Sequence, residues 1–163
     1  MTAPTFLVDL VRPWADFYAD SLPASVTVTF IHFTGLLLAG GSAAAVDRET
    51  LLQPRLDDEG RARGLEVIRR VHPWVLLGLG LSVASGLLLA AADLETYFGS
   101  TFYWSKMALV ALLLINGAVL HRVATRSDTA DPVSWSRLRG AAARSLVLWL
   151  AIVLNSILVA TAA

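Results

Sequence analysis

Four apolar stretches, each about long enough to cross a lipid bilayer as a helix, dominate the sequence. Residues 26–46, 73–92 and 145–163 carry no charge, and residues 102–120 carry only Lys106. Hydrocarbon offers no water to pair with backbone N–H and C=O groups, so only helices or closed barrels survive in it. The ten-residue alternation of a membrane barrel is missing from the sequence. The expected fold is therefore all-α, an integral membrane four-helix bundle over residues 26–163. The composition agrees. Of 163 residues, 56% are hydrophobic and 16% charged, against about 45–50% and about 25% in soluble domains.

The same composition excludes whole classes of function. There is no cysteine, so disulfides, thiolate metal sites, iron–sulfur clusters and covalent haem attachment are ruled out. Thirteen Lys+Arg balance thirteen Asp+Glu, leaving no basic field for nucleic acid. The sequence contains no GxGxxG, Walker, HExxH or GxSxG motif, so nucleotide binding and common hydrolase chemistry have no support. A copper path needs ladders of Met, His or carboxylate, and the only methionines are Met1 and Met107.

The segments between the spans give an orientation. Residues 47–72 hold six arginines and residues 121–144 hold five, whereas residues 93–101 hold no basic residue. Cytoplasmic loops carry the excess of Lys and Arg. Both arginine-rich segments are thus expected inside, with both termini outside, as a multi-pass protein of a bacterial cytoplasmic membrane. Residues 1–25 do not read as a signal peptide. Leu7, Leu10, Val11, Trp14, Phe17 and Tyr18 recur at helical spacing, which predicts an amphipathic helix in the outer interface. Trp14, Tyr97, Tyr103 and Trp104 are expected in the outer aromatic belt, and Trp74 and Trp135 near the inner surface. Residues 56–70 fit either a charged helix or a loop.

Membrane helices approach closely at small residues. Gly35, Ala39 and Ala43 make one such stripe, and Gly78, Ser82 and Gly86 another. Asn116 and Asn155 lie in the third and fourth spans. An unpaired amide in hydrocarbon is costly, so both are expected to face protein and to bond across helices, with each other as one option.

Ionisable side chains inside membrane spans are expensive and mark candidate sites. Here they are His32, Lys106, His72 and His121. His32 shares a face with Gly35 and Ala39 and therefore points at another helix. Its imidazole suits an iron ligand or a proton relay, or a plain interhelical hydrogen bond. Lys106 lies at a similar depth and either snorkels outward or points into the bundle to hold an anionic group. His72 and His121 share the inner level, about 18 Å from His32 by helical rise. They form the preferred pair if one iron has two histidine ligands. Gly117, one turn before His121, leaves room for a flat ring system.

Three segments carry a resemblance: FIHFTGLLLAGGSAAAVDRETLL (30–52), RRVHPWVLLGLGLSVASGLLL (69–89) and FYWSKMALVALLLINGAVLHR (102–122). Together they resemble the bacterial four-helix membrane proteins around the HemJ-type protoporphyrinogen oxidases and the copper-resistance protein D domain. The resemblance rests on a histidine early in the first helix, an aromatic-x-Lys start to the third, and an Asn…His-Arg exit. It implies a b-type haem, with His32 as an axial-ligand candidate and Lys106 as its functional partner. The chain departs at Gly117, where HemJ-type proteins place their third-helix histidine, and in its N-terminal amphipathic segment.

Two functions follow as expectations. One is a haem-binding redox or electron-transfer protein, with His32, His72, His121 and Gly117 as haem-site candidates, the three histidines as iron ligands, and Lys106 in the chemistry. Its partners would be membrane lipid and a quinone or another membrane protein. The other is a non-enzymatic subunit of a larger complex, or a small-solute carrier. Both are compatible with a homo-oligomer.

Overall fold

The computed structural model describes residues 3–52, 58–126 and 132–162. The described residues form helices and no strands: α1 (Thr5–Asp20), α2 (Leu22–Leu36), a π-helical turn (Leu37–Gly41), α3 (Ser42–Leu52), α4 (Asp58–Ala92), α5 (Leu94–Gly99), α6 (Thr101–Arg126) and α7 (Pro132–Ala162). Four of these stretches are long and apolar enough to cross a membrane: Leu22–Leu52, Ala62–Ala92, Thr101–Arg122 and Trp135–Thr161. Their outer faces carry exposed Phe30, Leu37, Leu87, Ile115 and Leu150. In water such a surface would aggregate; in lipid it is the solvated face. The architecture is that of a multi-pass membrane bundle.

The first and second spans meet through glycine. A Cβ on Gly35 would lie 2.7 Å from the Gly78 carbonyl oxygen, and one on Gly78 would lie 2.6 Å from the Ala39 nitrogen. The backbones touch, as the small-residue stripes predict. The π turn follows at once. It adds a residue to the helical repeat and leaves Gly40 beneath the Trp149 ring, 3.2 Å from where a Cβ would sit. Trp149 packs there with Ala39, Leu113 and Ile152. Helices α6 and α7 pair closely, while α4 and α6 scarcely meet. The bundle therefore has an open seam between α4 and α6.

Helix α4 starts fifteen residues before Pro73 and α7 thirteen before Ser145, so two spans reach much further than the apolar runs. Residues 58–70 are helix, and α4 runs on through Pro73, which removes one backbone bond without ending the helix. The reason is a second small core. Leu65, Ile68, Trp135 and Leu138 pack together, joined by Val46 and Leu120. Leucine and isoleucine three apart on α4 face tryptophan and leucine three apart on α7, and exposed Arg63, Arg69, Arg70 and Arg137 cover the outside. A 31-residue span is about 46 Å long at 1.5 Å per residue. Hydrocarbon is about 30 Å thick, so the bundle projects beyond lipid at its arginine-rich end.

Trp135 is buried against Gly64, whose Cβ would sit 2.8 Å from the ring, whereas Trp74 is exposed on the lipid side. Trp135→Ala is therefore expected to cost about 3–5 kcal/mol. Thermal unfolding in detergent checks this: the melting temperature should fall clearly for Trp135→Ala and hardly move for Trp74→Ala.

At the opposite end α1 lies across α2 and α4. Trp14 Nε1 donates to the Leu88 carbonyl at 2.8 Å, and Tyr18 pairs with Thr29 at 3.4 Å. The chain turns at Ser21, whose hydroxyl accepts from Ala24 N and caps α2. Tyr97, Phe98, Tyr103 and Trp104 cluster at the same end. The two asparagines do not bond each other. Asn116 Nδ2 donates to the Ala141 carbonyl at 2.9 Å, and Arg144 Nε donates to its Oδ1 at 3.1 Å. Asn155 Nδ2 donates to Ser105 Oγ. Each amide ties α6 to α7 at its own level, because each meets a nearer partner.

Candidate functional site in the seam between the second and third spans

The seam holds two cavities. The one nearer α1, called outer for its distance from the arginine-rich end, has about 150 Å³ and is lined by His32, Ser82, Gly86, Tyr97, Tyr103 and Lys106 among apolar neighbours. The one toward the arginine-rich end, called inner, has about 350 Å³ and is lined by Asp47, His72, Asn116, Gly117, His121 and Ser145. They share a wall of Leu79, Leu113 and Trp149. The four ionisable side chains singled out from sequence thus fall into two groups: His32 with Lys106, and His72 with His121.

His32 leans from α2 onto α4. Gly86 makes room, since a Cβ there would meet the His32 ring at 3.1 Å. His32 Nδ1 lies 2.9 Å from the Ser82 carbonyl oxygen and 3.2 Å from Ser85 Oγ. A carbonyl has no proton to give, so Nδ1 carries the hydrogen. In the neutral ring Nε2 is then the lone-pair nitrogen. Metal-ligating histidines are held in this way, with the second nitrogen donating to a backbone carbonyl that fixes tautomer and orientation. Lys106, partly buried, borders the same cavity from α6. The wall includes Val83 and Leu87, both exposed on the lipid face, so the cavity opens sideways between α4 and α6. Beside it Tyr97, outside the spans, has its hydroxyl pKa pushed up, chiefly by burial.

His72 and His121 meet, as their common depth predicts. Their rings stack face to face, with centroids 4.6 Å apart and planes within 15°. Both rings border the inner cavity, His72 from α4 and His121 from α6. Among the described residues no three His, Asp or Glu side chains gather to hold a bare metal ion. Gly117 borders the inner cavity together with His121, with open space where its Cβ would be.

The residues present fit a haem in one respect and restrict it in another. The outer cavity supplies an oriented imidazole, a cation and an apolar wall open to lipid. Its enclosed volume is below the roughly 300 Å³ of a typical cofactor site, so a ring system there would extend through the open side of the seam.

One buried group lay outside the sequence-based candidates. Asp47 is 4% exposed and borders the inner cavity. Ser145 hydrogen-bonds its carboxyl, and Oδ2 has no partner. The signal was its spacing: Gly35, Ala39, Ala43 and Asp47 follow in four-residue steps, so Asp47 continues the inward stripe. Against protein-family models, curated proteins and solved structures, the chain finds no match.

Proposed function

We propose that the chain is a membrane-embedded b-type haem-binding protein with a redox or electron-transfer role, using His32 as the iron ligand. One observation carries this reading: His32 Nδ1 is committed to the Ser82 carbonyl in a cavity that also holds Lys106. A bound haem would supply one-electron exchange. The protein's part is to fix the imidazole, exclude water with an apolar wall, and place the Lys106 ammonium where it attracts a carboxylate. The membrane position suits a quinone or a membrane protein as electron partner. The absorbance spectrum of protein purified after haem-replete expression tests the proposal. A Soret band is expected. A colourless protein that brings down a stoichiometric partner would overturn it in favour of the subunit reading.

The proposed setting is a bacterial cytoplasmic membrane with the arginine-rich end inside. The sequence has no cysteine, so single cysteines report cleanly. In intact cells a membrane-impermeant maleimide should label Glu95→Cys, and should label Ser136→Cys only after lysis. Both side chains are exposed. The reverse pattern would invert the topology.

A further inference from the structure

We infer that the inner cavity is a ligand site in its own right, taking a lipid-soluble neutral molecule whose hydroxyl is donated to Asp47. The site has a polar end and an apolar body. Asp47 from α3, Ser145 from α7 and Asn116 from α6 converge on it. Two of these are already engaged. Asn116 is bonded on both sides, by donating to the Ala141 carbonyl and accepting from Arg144 Nε. Ser145 is bonded to the Asp47 carboxyl. The unmet capacity is Asp47 Oδ2, an acceptor in a residue 4% exposed. A buried acceptor without a donor is costly, and it selects a ligand that brings one.

The rest of the wall sets the ligand's other properties. Val75, Leu79, Leu113 and Trp149 line the body of the cavity and favour an apolar ring or chain. Leu76 of α4 and Leu114 of α6 border it too, and both are exposed on the lipid face. The way in is thus sideways from hydrocarbon, which only a lipid-soluble molecule takes. A cationic amine would have to leave water to take that route, which leaves a neutral hydroxyl as the matching donor. A volume of about 350 Å³ lies in the range of small-molecule sites. The shared chemistry covers phenols and long-chain alcohols.

The inference does not depend on the haem proposal, because His32 lies in the other cavity. Calorimetric titration of the detergent-purified full chain tests it with three probes: 4-hexylphenol, its methyl ether 4-hexylanisole, and 1-decanol. The ether keeps the apolar body and removes the donor, so it controls for partition into detergent. Saturable binding of 4-hexylphenol is expected, about tenfold or more tighter than the ether, as for a hydrogen bond to a charged group. Decanol binding comparably would mean that the hydroxyl alone is read; weaker binding would make the site selective for rings. Asp47→Leu should lose the phenol preference, and His32→Ala should keep it. Equal affinity for phenol and ether would overturn the inference without any variant. An undiminished phenol preference in Asp47→Leu would do the same.

Discussion

The Soret band should vanish in His32→Ala and survive in His72→Ala and His121→Ala. The contrast follows from how the three rings are held. His32 has one nitrogen committed to a backbone carbonyl, at 2.9 Å from Ser82, leaving the other as the lone pair. His72 and His121 spend their faces on each other, at 4.6 Å. Loss of a sole protein ligand removes the bond that anchors an iron, so the expected effect is complete loss of stoichiometric haem, not a modest weakening. Lys106→Met should retain colour with reduced haem affinity, since it removes a charge and not a ligand. Absorbance and haem content per chain, on protein of equal monodispersity, decide both. Persistence of the full band in His32→Ala would exclude this histidine as the ligand.

Gly78→Val should disrupt the bundle itself. Its new side chain would start 2.6 Å from the Ala39 nitrogen and 2.7 Å from the Gly35 oxygen. Both neighbours are backbone and cannot rotate away. The first and second spans would have to separate, losing the close packing that holds helices together in lipid. Overpacking of this kind costs about 1–3 kcal/mol in cores that relax, and here the relaxation means moving a whole span. The Gly80→Val variant is the control, because nothing lies within 4 Å of its Cβ. Gel filtration in mild detergent should show Gly78→Val aggregated or strongly depleted and Gly80→Val like the parent. Equal behaviour would show that the glycine contact is dispensable.

These two predictions mark where the sequence was readable and where it was not. The spans were readable because lipid tolerates few alternatives to an uncharged helix. The Gly35–Gly78 contact was readable because backbone approach needs small residues at fixed spacing. The length of α4 and α7 was not. Leu65 with Ile68 and Trp135 with Leu138 are short apolar pairs diluted by arginine, and only their meeting across helices makes a core. Asp47 was hidden for a related reason. It stands at the charged edge of an apolar run, which reads as solvent, and burial there depends on helices continuing past the membrane. The depth shared by His72 and His121 followed from helical rise, but ring orientation did not, since spacing fixes a level and not a side-chain rotation. His32 was singled out from its helix face, while its bond to Ser82 required knowing which span lay opposite.

Haem binding at His32 is checked by titrating haemin into detergent-purified protein from haem-deficient cells, followed at the Soret band. Saturation at one haem per chain is expected, lost in His32→Ala and unchanged in His121→Ala. A featureless, non-saturating rise, identical in the parent and His32→Ala, would contradict it.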